Sequence, residues 1–137
     1  MGCSSDKYVN LNFNINLLGN DLLENAEFDD ELVELDETLI HTLYNFGKSE
    51  AIVVYSGSGA TAEEIIIIEN DTSDNAKAAY NQLKSYLQKK KINFKDYNPA
   101  EMYKLENPVL KQYGKYVVYC ISKDNDKVQN IINKYVG

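Results

Sequence analysis

Two runs of strand-forming residues, 51–55 and 65–68, stand on either side of a small-residue loop, Ser56-Gly57-Ser58-Gly59-Ala60-Thr61-Ala62. The second run, Ile65-Ile66-Ile67-Ile68, is apolar at every position. Successive strand residues point to opposite faces, so this run offers no face to water. It belongs in a central strand covered on both sides, or in the over-apolar interior of a sheet. The short connection makes the two strands antiparallel neighbours.

The loop invites a phosphate-cradle reading, and its surroundings oppose it. A P-loop places Gly-Lys-Ser or Gly-Lys-Thr at the start of a helix. Here Gly59 is followed by Ala60-Thr61-Ala62, without a lysine, and then by a strand. The dinucleotide fingerprint also needs a helix behind its glycines, because the helix start supplies the free N–H groups and the dipole. The remaining reading is a glycine-rich hairpin connection with glycines at positive φ. Residues Ser56, Gly57, Ser58, Gly59 and Thr61 are then a candidate interaction loop.

Other elements follow from periodicity. Val9-Asn10-Leu11-Asn12-Phe13-Asn14-Ile15-Asn16-Leu17 alternates strictly, as a half-buried strand does, while Leu17, Leu18, Leu22, Leu23 and Ala26 suit a helical stripe. The boundary between the two stays open around residues 14–16. Asp36 is placed to cap a short helix carrying Leu39, Ile40, Leu43 and Tyr44, closed by Gly47. Asp74 is read as the cap of a long helix with the stripe Ala76, Ala79, Tyr80, Leu83 and Leu87, and with lysines over the rest. The lysines Lys89, Lys90 and Lys91 are read as a solvated helix end favoured by the dipole, ahead of a headgroup or nucleic-acid contact. Asn98-Pro99-Ala100-Glu101 has the form of a capping box, with Glu101 reaching back to Asn98. Residues 108–113 and 115–121 read as a second hairpin turning at Gly114. Asp124 or Asn125 caps a final helix with the stripe Val128, Ile131, Ile132 and Tyr135.

After residue 50 the order is therefore ββαββα. The expected class is α+β: a four-stranded, largely antiparallel sheet with helices packed on one face, plus an N-terminal helical segment. Residues 1–8 are read as a tether and 9–137 as one domain.

The net charge of −7 argues against nucleic acid as a partner. Residues 1–75 hold 16 Asp and Glu against 2 Lys, and residues 76–137 hold 5 against 12 Lys. Two halves of opposite sign are expected to pack against each other and cancel much of their fields, in preference to an acidic face that recruits a basic partner. All 14 basic residues are Lys, and the absence of Arg lowers the expectation of bidentate phosphate or carboxylate recognition.

The N-terminal Gly2-Cys3-Ser4-Ser5 resembles the end of a bacterial lipobox, where cleavage precedes the Cys and its sulfur carries diacylglycerol. Met1 is read as a start that replaces a removed signal peptide, and Cys3 as the lipidation site. Myristoylation fits less well, because that pattern wants Ser or Thr where Asp6 stands. A Cys3–Cys120 disulfide is a further alternative. Cys120 lies within Tyr116-Val117-Val118-Tyr119-Cys120-Ile121, where a free Cys acts as a small hydrophobe.

Candidate chemistry is sparse. Ser56, Ser58 and the single His41 lack a nucleophile elbow. Asp29-Asp30-Glu31 and Asp124-Asn125-Asp126 do not continue into an EF-hand loop, and one His with two Cys suggests no zinc or iron site. Glu63 and Glu64 are adjacent, so a strand separates them to opposite faces and does not pair them. The 11 tyrosines are read first as core fillers with hydroxyls at the rim, and second as an interface.

Several segments together carry a resemblance: Phe28-Asp29-Asp30-Glu31-Leu32-Val33-Glu34-Leu35-Asp36, residues 56–65, the lysine-rich helix, Phe94-Lys95-Asp96-Tyr97-Asn98-Pro99, Leu105-Glu106-Asn107 and Gly114-Lys115-Tyr116-Val117. In this order the chain resembles the domain-of-unknown-function 4358 family of small lipoproteins from Gram-positive, mainly clostridial, bacteria, from about residue 17 to 135. The resemblance implies lipid attachment at Cys3 and brings no catalytic residue and no cofactor. The expected function is a non-enzymatic, lipid-anchored module on the extracytoplasmic side of the membrane that binds a protein or envelope component. A small envelope hydrolase or ligand-binding protein using residues 56–61, and a self-associating structural subunit, are the alternatives.

Overall fold

The computed structural model describes residues 7–46 and 49–137. The expectations for Cys3 and for a helix end at Gly47 lie outside them. The elements are α1 (Ile15–Asn25), β1 (Val33–Glu34), α2 (Glu37–Leu43), β2 (Ala51–Ser56), β3 (Glu64–Glu69), α3 (Ser73–Tyr97), a 3₁₀ turn (Pro99–Glu101), α4 (Met102–Leu105), β4 (Val109–Tyr113), β5 (Tyr116–Ile121) and α5 (Asn125–Val136).

The strands form one sheet in the order β1-β2-β3-β5-β4, and each neighbouring pair is antiparallel. The α+β class and the central place of the isoleucine strand hold, but the sheet has five strands where four were expected. The extra strand, β1, pairs only Val33 and Glu34 with the end of β2. Two residues are too few to show a period-2 pattern, so only the tertiary pairing defines it.

The helices occupy both faces of the sheet, which corrects the one-face expectation. Ile65 and Ile67 share a core with Leu18 and Leu22 of α1 and with Val128, Ile131 and Ile132 of α5. Ile66 and Ile68 face the other way, into a core with Ala76, Ala79, Leu83, Leu87 and Phe94 of α3. All four isoleucines are fully buried. Burying such side chains contributes on the order of 2 kcal/mol each, so a β3 bare on one side would forfeit half of that.

The alternating segment before α1 is not a strand. Asn14 caps α1, its side chain accepting the N–H groups of Asn16 at 2.8 Å and Leu17 at 3.3 Å. Leu11 and Phe13 are half-buried while Asn10 and Asn12 are exposed, so the alternation records burial without a ladder. Phe13 stacks on Tyr116 at 4.2 Å between ring centroids, and its N–H donates to the Tyr116 hydroxyl.

The other helix ends are specified locally. Asp36 accepts the Leu39 N–H at 2.8 Å, as expected. Thr72, in place of Asp74, caps α3 through the Asn75 N–H at 3.1 Å. Asp124 caps α5 through the Lys127 N–H. Cys120 is buried in β5, and burial pushes its thiol pKa well up, as for a small hydrophobe.

Candidate functional site

The chemistry-bearing side chains gather where β3 begins and β5 ends, beside the 57–63 loop. Glu64 opens β3 and Glu63 immediately precedes it, and both are buried. They point to opposite sides, so each has its own surroundings.

On one side Glu63 joins Lys104, Glu101 and Asp29. The Lys104 Nζ lies 2.9 Å from Glu63 Oε2, from Glu101 Oε1 and from Asp29 Oδ2. Glu63 also accepts the N–H groups of Asp29 at 2.9 Å and Asp30 at 2.8 Å. Glu101 does not reach back to Asn98 as a capping box requires; it accepts the Ala62 N–H at 2.9 Å. The Asn98 amide instead donates to the Ala60 carbonyl at 3.0 Å. Lys123 adds a second cation on Asp29 at 3.1 Å. Burial alone would lower the Lys104 pKa, but its bonds to Asp29, Glu101 and Glu63 outweigh this and raise it. The bonds from Lys104 and Lys123 hold the Asp29 carboxyl below its ordinary value.

On the other side Glu64 accepts from three phenols and one ammonium. Tyr44 and Tyr86 donate to it, Tyr119 donates at 3.3 Å, and Lys90 lies at 2.7 Å. Lys90 also donates to the Ala62 carbonyl at 3.1 Å. Its ammonium lies 5.6 Å from the Tyr86 ring centroid and 6.0 Å from that of Tyr119, within cation–π range. Burial first, and then the Glu64 charge, push the pKa of all three phenols upward. They are therefore neutral donors and not phenolate bases. Against the expectation of a solvated helix end, Lys90 is drawn inward onto Glu64, while Lys89 stays exposed.

Asp30 organises the loop. Its Oδ2 accepts the Ser58 N–H at 3.0 Å, the Ser58 hydroxyl at 2.9 Å and the Thr61 hydroxyl at 3.1 Å. Burial would raise the Asp30 pKa, but these bonds and the Glu31 N–H bring it below the ordinary value. Such a carboxylate is a weak base for activating Ser58. Gly57 has no room for a Cβ, which would meet Asp30 Oδ2 at 2.4 Å. Gly59, at φ +90, has open space around it and forms the exposed tip. Of the expected turn glycines, Gly59 takes positive φ and Gly57 does not. Ser56 ends β2, opposite Glu64. His41 is exposed on α2, 3.7 Å from Glu37.

The structure thus separates Glu63 from Glu64, as the strand geometry required, and joins each to lysines from the second half of the chain. Lys104 is the residue that sequence reasoning missed. It sits among polar and apolar neighbours in a short helix, where no period marks it as inward-facing. Among the described residues, clefts of about 450, 390 and 490 Å³ are lined by none of 56–64, 101 or 104.

Residues 24–122 match the family described as Domain of unknown function (DUF4358). The chain belongs to that family. Comparison with curated proteins and with solved structures gave no match. The DUF4358 region contains β1 to β5 and both ionic clusters apart from Lys123, but α5 lies beyond it and α1 almost wholly before it. These two helices supply most of the cover on one face of the sheet, with Leu11, Phe13, Phe28 and Leu32 beside them.

Proposed function

We propose that this DUF4358 protein is a non-enzymatic binding module, held at the extracytoplasmic face of the membrane by a lipid on Cys3. One observation carries the binding reading. The convergent polar groups at the head of β3 are closed on one another: Lys104 on three carboxylates, Glu64 on three phenols and Lys90, and Asp30 on the loop hydroxyls. This bonding holds the loop rigid. Residues Ser56, Gly57, Ser58, Gly59 and Thr61 then present a preformed surface with its tip at Gly59, which lowers the ordering cost of binding.

The anchor rests on Gly2-Cys3-Ser4-Ser5. No helix among the described residues is long and apolar enough to cross a membrane. The test is the intact mass of the protein extracted from native membranes, together with fractionation of Cys3→Ala. A diacylglyceryl adduct on Cys3 and release of Cys3→Ala into the soluble fraction are expected. An unmodified Cys3, or a Cys3→Ala protein that stays with the membrane, removes the anchor. Cross-linked pull-down with Gly59→Lys as the comparison tests the loop, and an unchanged partner profile removes it.

A further inference from the structure

Among the described residues the sheet has a second unpaired edge, at β4, bordered by side chains of α3 and α5. β4 is the terminal strand of the order. It joins β5 through the two-residue turn Gly114-Lys115, with Tyr113 opposite Tyr116 and Gly114 at φ +59. In such a hairpin the flanking pair exchanges both backbone bonds, and bonded and non-bonded pairs then alternate. Tyr113, Lys111 and Val109 therefore bond to β5, while Leu110 and Gln112 direct their N–H and C=O groups outward. The same alternation runs across the sheet: the Asn70 N–H reaches Lys115 O at 2.8 Å between β3 and β5, and the Leu35 N–H reaches Val54 O at 2.9 Å at the opposite edge.

A groove of about 450 Å³ runs along this edge. Tyr80 of α3 forms one wall, and Gln129 and Asn133 of α5 form the other. Tyr8 closes one end, packed edge-to-face on Tyr113 at 5.3 Å. Among the described residues, Lys111 is the sole charged group in the lining. Lys77 and Lys84 flank Tyr80 on its helix face, and both are exposed. Among the described residues none of these three lysines makes an ion pair. The carboxylates Asp74 and Asp126 sit in the first turns of α3 and α5, outside the lining.

We propose that the β4 edge is a strand-addition site that receives an extended, acidic segment of a partner protein. Outward backbone groups at Leu110 and Gln112 supply the ladder bonds, and the Tyr80 wall and the Gln129-Asn133 wall receive alternate side chains. Lys111 selects the charge. Two copies of β4 paired antiparallel about Lys111 would set like charges opposite each other, which disfavours a second copy of the chain as occupant. The proposal rests on the binding-module reading but not on lipid at Cys3.

The test is selection of random displayed decapeptides against the full chain, followed by hydrogen exchange with one synthetic selected peptide. Recovered peptides are expected to carry Asp or Glu at alternate positions and to lack Pro. The peptide should slow exchange at the Leu110 and Gln112 amides, and Lys111→Glu should weaken its binding by about tenfold or more. Peptides without that pattern, protection elsewhere, or binding unchanged in Lys111→Glu overturn the proposal. Concentration-dependent protection of the same amides without peptide would assign the edge to a second copy and overturn it as well. Peptides that protect residues 56–61 instead would sink the groove and leave the binding-module reading standing.

Discussion

Lys104 decides the most at the scale of single residues. Its side chain has no exposed surface and faces Asp29, Glu63 and Glu101. Removing it leaves buried carboxylates without a counter-ion. Lys104→Met is expected to destabilise the protein by about 3–5 kcal/mol, the usual cost of breaking a buried pair from one side. The readout is the urea midpoint. Adding Glu63→Gln to Lys104→Met should restore part of the loss, and a single variant with the parent midpoint would show the cluster to be energetically idle.

The pH dependence follows from the same groups. The Asp29 and Asp30 carboxyls are held below their ordinary value, so their contribution is complete above it and is lost as pH falls through the lowered folded values. Lys104 is raised, so its contribution is complete below the ordinary ammonium value and lost only as pH rises through the raised one. Thermal midpoints between about pH 5 and pH 2 should therefore fall less for Asp30→Asn than for the parent. An identical acid limb would mean that Asp30 titrates alike in folded and unfolded chains.

Caps and turns are the measure of individual elements. Thr72 and Asp74 both suit a helix start, and the backbone puts the Thr72 hydroxyl on the Asn75 N–H. Thr72→Ala should cost about 1 kcal/mol. Asp74→Ala should cost less, because it removes only a favourable charge in the first turn. Equal losses in chemical denaturation would contradict the assigned cap. The 98–101 segment carries the same lesson: it has the residues of a capping box, yet Asn98 and Glu101 bond to Ala60 and Ala62 across the molecule. Local patterns name donors and acceptors, and tertiary neighbours compete for them.

For the whole molecule, the opposed charge of the two halves is partly paired between them. Lys90, Lys104, Lys115, Lys123 and Lys134 each pair with a carboxylate from the first 75 residues. The DUF4358 match takes in only the last two residues of α1 and none of α5, yet both helices close a core around Ile65, Ile67, Tyr116 and Val118. A fragment of residues 24–122 is expected to bind a hydrophobic dye and to lose cooperative urea unfolding, because one face of its sheet loses the α1 and α5 side chains that cover it. A sharp transition with the parent slope would show that the second layer is dispensable.

The sequence by itself determined the α+β class, the central isoleucine strand, both hairpins, the amphipathic helices and the opposite directions of Glu63 and Glu64. These depend on side-chain period and on turn chemistry, which act over a few residues. Only the tertiary structure decided that helices cover both faces, that β1 joins the edge, and that Lys104 is buried among carboxylates from three separate segments. It also decided that β4 ends the sheet in a groove. Each of those depends on which distant segments meet, and no local periodicity encodes that meeting.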